Sequence, residues 1–251
     1  MDKQLIQEQF GANVDYYTTS KPHAVGASLA RLIELVAPQA DWQALDLATA
    51  VGHTALAFAP HVGHVWATDI TPEMLQRAKS RAEAAELTNV TVEYADVEAI
   101  PYEDDFFDLV TCRIAPHHFS DIGRFLAEAV RVLRPGGVLA VVDNILPGGP
   151  TGDYLNAFER LRDPSHGRCL SGDEWQAMFE RAGLTVRHRE TLDKQLVFES
   201  WAGRHDATTQ RFLRALLTQA PPQAAAFLQP QTLNDTTTFR LQEVIIVGRA
   251  K

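Results

Sequence analysis

Apolar positions Val25, Leu29, Leu32, Ile33 and Val36 recur at three- and four-residue intervals behind Ser20 and Pro22, which predicts an amphipathic helix over 22–37. After Pro38 the pattern contracts to a short apolar run, Gln43 to Leu47, suited to a buried strand, and Val51 to Ala59 returns to helix-forming residues. The unit then repeats. His64 to Thr68 predicts a strand, and Thr71 with Pro72 predicts the start of a helix that carries Met74, Leu75, Ala78, Ala82 and Ala85 on one face. Val90 to Tyr94 and Asp108 to Arg113 predict a third and a fourth strand. A helix follows with Ile122, Phe125, Leu126, Ala129, Val130 and Leu133 at helical spacing, stopped by Arg134-Pro-Gly-Gly137. Val138 to Val142 predicts a fifth strand.

Strands alternating with helices predict an α/β fold with a doubly wound, mostly parallel sheet, whose ligands lie at the carboxyl ends of the strands. The site is therefore expected in the loops after Asp46, Asp69, Asp96 and Arg113. Beyond Pro147 the pattern loosens. Ser171-Gly-Asp-Glu174 predicts a capping box opening a helix with Trp175, Met178 and Phe179; Leu184 to Phe198 and Gln242 to Gly248 are suited to completing the sheet. Between them, Ser200 to Gln229 is expected to be helical and broken at Pro221-Pro222. One domain is expected: an N-terminal helical lid over 1–40, a core over 41–145, and substrate-side insertions with the final strands over 146–251.

Composition narrows the partners. A net charge of −9 argues against broad attachment to nucleic acid or an anionic membrane. No apolar run reaches membrane-spanning length, and MDKQLIQEQF lacks the basic-then-apolar pattern of a signal peptide, so a cytoplasmic location is expected. Cys112 and Cys169 are too few for a disulfide framework or a four-thiolate zinc site, and no metal is expected.

Asp46 ends the first predicted strand and Asp69 the second, 23 residues later. An acid at the second position commonly grips ribose hydroxyls, which points to a nucleoside-containing cofactor. A dinucleotide would call for G-x-G-x-x-G to approach its pyrophosphate, but Ala48, Ala50 and His53 stand at those positions, and no Lys or Arg occurs between Arg31 and Arg77. S-adenosylmethionine carries no phosphate, and its sulfonium is cationic. An acidic pocket suits it better.

At this point the chain resembles the class I S-adenosylmethionine-dependent methyltransferases, whose first motif D/E-x-G-x-G-x-G reads here Asp46-Leu-Ala-Thr-Ala-Val-Gly52, with alanine at two glycine positions. The resemblance continues through Thr68 to Leu75, Ala95 to Pro101, Phe107 to Arg113 and Arg131 to Gly137. It is strongest with the UbiE and YcgJ type, in which stretches similar to Cys112-Arg-Ile-Ala-Pro-His-His-Phe119 and Arg162-Asp-Pro-Ser-His166 recur. It implies a Rossmann-like seven-stranded sheet with an antiparallel last strand. It also implies that Asp46 and the backbone of Ala48, Ala50 and Gly52 hold the methionine end, and that Asp69 binds the ribose. Ile70 would pack on the adenine, Asp96 and the Val97 amide would meet its edge, and Arg113 would line the methionine side. Tyr17 and His23 resemble lid residues.

Each of these residues also has a plain structural role open to it as a cap, a turn former or core packing. His117 and His118 follow the fourth strand, where an acceptor should arrive, and either is a candidate general base or a structural histidine. His166, near Asp163 and Arg168, is a weaker candidate. Asp69 is expected to be a surface-loop acid that does little for the core. Ile114-Ala-Pro-His-His118 does not match the Asn/Asp-Pro-Pro-Tyr/Phe turn of nucleic-acid amino-methyltransferases, and two cysteines do not suffice for arsenic methylation. A small-molecule acceptor is expected, with a leaning toward an apolar or aromatic one drawn from Phe158, Trp175, Phe179, Phe198, Trp201, Phe212 and Phe227. The alternatives are a catalytically silent S-adenosylmethionine-binding or scaffold protein, prompted by the two alanines, and an NAD-dependent oxidoreductase.

Overall fold

The computed structural model describes residues 3–19 and 26–251, so Pro22 and His23 lie outside the described residues. The short buried runs form strands β1 (Gln43–Leu47), β2 (His64–Asp69), β3 (Val90–Tyr94), β4 (Phe107–Arg113) and β5 (Leu133–Ile145). These five are parallel, in the sheet order β3-β2-β1-β4-β5. Strand β6 (Thr185–Val197) lies at the far edge, and β8 (Thr236–Arg249) runs antiparallel to both β5 and β6. The expected seven-stranded sheet with an antiparallel last strand is thus present. To it is added β7 (Gln231–Leu233), a short strand paired with β8. Asn234 and Asp235, at φ +47° and +62°, make the two-residue turn between β7 and β8; both residues tolerate left-handed backbone.

Alternate residues of the central strands serve opposite faces. Leu45, Leu47, Val110, Cys112 and Val141 pack with Phe125 and Leu126 of the helix Ile122–Val132 and with Trp175 and Phe179 of the helix Gly172–Arg181. Ala44, Ala67, Leu109, Ala140 and Val142 face Leu32 and Val36 of the helix Ala27–Val36 and Phe58 of the helix His53–Phe58. The capping box at Ser171 forms as expected, whereas the Thr71 hydroxyl makes no capping bond; Asp69 Oδ1 instead accepts from the Thr71 amide at 2.8 Å.

The helix Gly149–Arg162 is an element the sequence pattern missed. It opens on Gly-Pro-Thr-Gly, and Gly152 is required there, because a Cβ would fall 1.9 Å from the Pro147 carbonyl oxygen. With the helices Phe198–Trp201, Ala207–Thr218 and Pro222–Leu228 it builds a cap around Phe158, Phe198, Leu213, Leu217 and Phe239, seated on the long ends of β6 and β8. No helix among the described residues is long and apolar enough to cross a membrane.

Candidate active site

Strand order reverses between β1 and β4, and adjacent strands whose connections leave in opposite directions open a crevice at their carboxyl ends. A cavity of about 480 Å³ occupies that crevice and continues under the cap. It is lined by Asp46, Ala48, Ala50, Asp69, Ile70, Asp96, Val97, Arg113, His117, His118 and Tyr17, which brings together every expected site residue within the described range except Gly52. Gly52 lies just behind the wall, at φ +85°, where an added Cβ would come 3.3 Å from Ala78 Cβ.

The loop after β1 keeps a glycine-type path without the glycines. Ala48 and Ala50 both sit in left-handed backbone, at φ +52° and +49°. That conformation costs an L-residue about 1–2 kcal/mol, so the surroundings must impose it. They do so through carboxylates. Asp46 Oδ2 accepts from Thr49 Oγ1 at 2.6 Å and from the Ala55 amide at 3.2 Å, while Oδ1 accepts from Thr111 Oγ1 at 2.7 Å, Thr111 being its register partner on β4. Asp69 Oδ2 accepts from the Ala50 amide at 2.9 Å. Asp69 is buried and organises two loops, contrary to the expectation of a surface acid with little structural role. Burial raises both carboxyls, Asp46 to about 6, with the hydrogen bonds and Arg113 acting in the opposite direction on Asp46.

Beyond β4 a third strained residue appears. Ile114, at φ +54°, is β-branched and poorly suited to that region, yet its amide is fixed to the Val142 carbonyl at 2.7 Å. Arg113 before it is buried and donates to Thr54 Oγ1 at 3.0 Å.

The N-terminal segment straps the other rim. From the helix Lys3–Gly11, Lys3 Nζ donates to Asp96 Oδ2 at 2.5 Å and pairs with Glu98 at 2.9 Å, while Gln7 Nε2 donates to the Ile70 carbonyl at 2.6 Å. Tyr17, on the helix Val14–Thr19, stacks on Phe10 with ring centroids 5.0 Å apart and bonds Arg204; burial lifts its hydroxyl to about 12. Its carbonyl accepts from His53 Nε2 at 3.0 Å, since His53 Nδ1 faces Arg81, which can only donate. The contacts of Lys3, Gln7 and Phe10 escape sequence reading, because they depend on how the strap docks.

The histidines are buried and ordered. His117 Nδ1 lies 2.6 Å from Asp143 Oδ1 on β5, and burial pushes Asp143 up and His117 down, both toward uncharged forms. His118 Nδ1 lies 2.8 Å from the Ser165 carbonyl, which can only accept, so Nδ1 carries the proton and Nε2 holds a lone pair. Ser165 is itself held by Asp163, which pairs with Arg204 at 3.1 Å. His166 does not line the cavity; its Nε2 is tied to Asn156 Oδ1 at 2.9 Å. Asp143, a single acid inside an apolar strand, was missed in the sequence for want of any spacing signal.

The far half of the cavity is more polar than the aromatic composition suggested. Of the seven aromatics expected there, only Trp201 lines it. Trp175 and Phe179 belong to the sheet core, Phe158 and Phe198 are sealed in the cap, and Phe212 is exposed. Arg162, Glu159, Lys194 and Asn144 share the wall there with Leu196, Val197 and Leu241.

This fold, with a carboxylate-rich crevice at its switch point, is that of a nucleoside-binding α/β protein. Residues 45–141 match the family model described as a methyltransferase domain. The chain is 37% identical over 203 residues to the uncharacterized methyltransferase YcgJ of Bacillus subtilis, covering 80% of each. It superposes on that protein's crystal structure with a TM-score of 0.85 at 33% identity, over 89% of this chain and 98% of the other. It is 36% identical to a demethylmenaquinone methyltransferase of Thermus thermophilus over 63% of this chain and 81% of that one. It is also 32% identical to the 27-O-demethylrifamycin SV methyltransferase of Amycolatopsis mediterranei, over 78% of this chain and 75% of that one. The chain belongs to the class I S-adenosylmethionine-dependent methyltransferases of the YcgJ and UbiE type. S-adenosylmethionine is the cofactor of this class.

Proposed function

We propose that the protein transfers the methyl group of S-adenosylmethionine to a small molecule bound in the capped half of the cavity. The observation that carries this is the continuity of one cavity from the carboxylate-lined strand ends to the polar chamber under the cap. The donor set at the strand ends fits the cofactor: three carboxylates, Asp46, Asp69 and Asp96, line it, and of the described cations there Lys3 is paired with Asp96 and Glu98 while Arg113 is bonded to Thr54. Asp69 would receive the ribose hydroxyls, Ile70 would pack on the adenine, and Asp96 with the Val97 amide would meet its edge. Asp46, the loop Ala48 to Gly52 and Arg113 would hold the methionine end. The left-handed Ala48 and Ala50 support cofactor binding, because the loop retains its path despite the added methyls.

When bound, the cofactor supplies an electrophilic methyl on a sulfonium; the chain's own residues bind, orient and exclude water. The strap, with Phe10 and Tyr17, closes the crevice against solvent. Holding the acceptor in line at near-attack distance provides much of the rate. Where the acceptor must lose a proton, His118 Nε2, with its tautomer fixed by Ser165, or His117, positioned by Asp143, would take it. The test is methyl transfer from isotope-labelled S-adenosylmethionine to metabolite fractions of the source cell. A labelled low-mass product, lost in Asp96→Ala, supports the reading; binding of cofactor without transfer to any fraction favours the silent protein.

A further inference from the structure

The chamber under the cap contains charged groups whose hydrogen-bonding capacity is unspent, and they converge. Arg162, at the end of the helix Gly149–Arg162, lays its guanidinium over the Trp201 ring at 4.8 Å and donates only from Nε, to the Trp201 carbonyl at 3.3 Å. Neither of its terminal nitrogens makes a hydrogen bond among the described residues; the nearest carboxylate, Glu159, is 3.8 Å away. Lys194, on β6, donates to Asn144 Oδ1 at 2.8 Å and faces Glu243 at 3.8 Å, leaving two of its three donors unused among the described residues. Glu159, nine-tenths buried on the same wall, has one oxygen, Oε1, with no hydrogen-bond partner among the described residues. Burial raises its carboxyl, and the same two cations act on it and on His117, which puts all four groups in one electrostatic neighbourhood beside the expected transfer point.

Two ion pairs held at 3.8 Å, beyond hydrogen-bond reach, are poor compensation for burying four charges. A ligand that bridges them improves it. Of the nearby acids, Asp163 is bonded by Arg204 and Ser165, while Asp143 bonds His117 through Oδ1 only; its Oδ2, like Glu243 Oε2, has no hydrogen-bond partner among the described residues. Building on the methyltransferase reading above, we propose that this chamber is a subsite for a small organic acid. An anionic oxygen group of the methyl acceptor docks between Arg162 and Lys194, and a hydroxyl or amine on the same molecule donates to Glu159. The planar guanidinium stacked on Trp201 suits a flat carboxylate or an ionised phenol or enol.

The test uses the full chain loaded with S-adenosylhomocysteine, whose binding is measured first and separately. Matched pairs of aromatic and aliphatic hydroxy acids and their primary amides, beginning with 4-hydroxybenzoate and 4-hydroxybenzamide, are then titrated by calorimetry. At least one acid is expected to bind tenfold or more tightly than its amide. That preference should vanish in Arg162→Gln and Lys194→Gln with S-adenosylhomocysteine affinity unchanged, and return in part in Arg162→Lys, which keeps the charge. No acid favoured over its amide, or a preference that survives both substitutions, overturns the proposal. Failure to bind S-adenosylhomocysteine overturns the methyltransferase reading, and this one with it.

Discussion

Asp46 is the acid on which the cofactor loop is built, and its burial has a measurable consequence. Its carboxyl is raised from an ordinary value near 3.8 to about 6, chiefly by desolvation. A carboxyl whose folded pKa exceeds its unfolded one takes up a proton on folding. Its contribution is neutral below about pH 4, grows unfavourable between the two values, and is constant above about 6. A rise of that size corresponds to about 3 kcal/mol of lost stability at neutral pH, of which about 1 kcal/mol develops between pH 5 and 7. Asp46→Asn keeps the shape. The amide oxygen can accept from Thr49 and Ala55 as Oδ2 does, and the amide nitrogen can donate to Thr111 Oγ1, whose hydroxyl turns to accept. Urea denaturation of both proteins at pH 5, 6, 7 and 8 separates this group from all others, because only the difference between the proteins is read. That difference should shift in favour of the variant by about 1 kcal/mol from pH 5 to 7 and then level off. A difference independent of pH would show that Asp46 stays ionised throughout, and that its hydrogen bonds outweigh its burial.

Other outcomes follow from the same geometry. Ala50→Gly should change stability by less than about 1 kcal/mol, since relief of left-handed strain is offset by unfolded-chain entropy and a lost methyl; thermal denaturation with S-adenosylhomocysteine titration checks this, with affinity expected to be held or improved. Gly52→Ala places a Cβ at φ +85° and 3.3 Å from Ala78, so a loss of about 1–3 kcal/mol is expected in the same denaturation assay. His53, His117 and His118 are each lowered to about 4 by burial, so their contribution is fully present above about pH 6.5 and is lost as pH falls toward 4. Steeper acid unfolding of the wild type than of a His117→Gln, His118→Gln double variant would bear this out.

The sheet was legible because each of its parallel strands is a short apolar run bounded by a turn or cap, from Gln43–Leu47 to Val138–Val142. The β5 strand in fact begins at Leu133, its register broken by a bulge beside Phe107 and Leu109, and an irregular pairing carries no periodic signal. The helix Gly149–Arg162 was lost behind its Gly and Pro start, and β7 is too short to alternate. At the site, strand ends announced Asp46, Asp69, Asp96 and Arg113 by position alone. What they bond to was not legible: the burial of Asp69, the Lys3 clasp on Asp96 and the His117–Asp143 pair arise where segments far apart in sequence meet. The aromatic count misled for the same reason, since composition does not distinguish a sealed core from a cavity wall. The left-handed alanines invert a sequence argument: substitution of glycine signalled a changed loop, and the backbone is nonetheless held in place by neighbouring carboxylates.

The central claim is that the crevice at the ends of β1, β2 and β4 binds S-adenosylmethionine. Calorimetric titration of the full chain with S-adenosylmethionine, S-adenosylhomocysteine and NADH tests it most directly. One site per chain for the first two, with NADH binding at least a hundredfold more weakly, is the predicted result; no binding of either sulfur nucleoside, or tighter binding of NADH, would contradict the account.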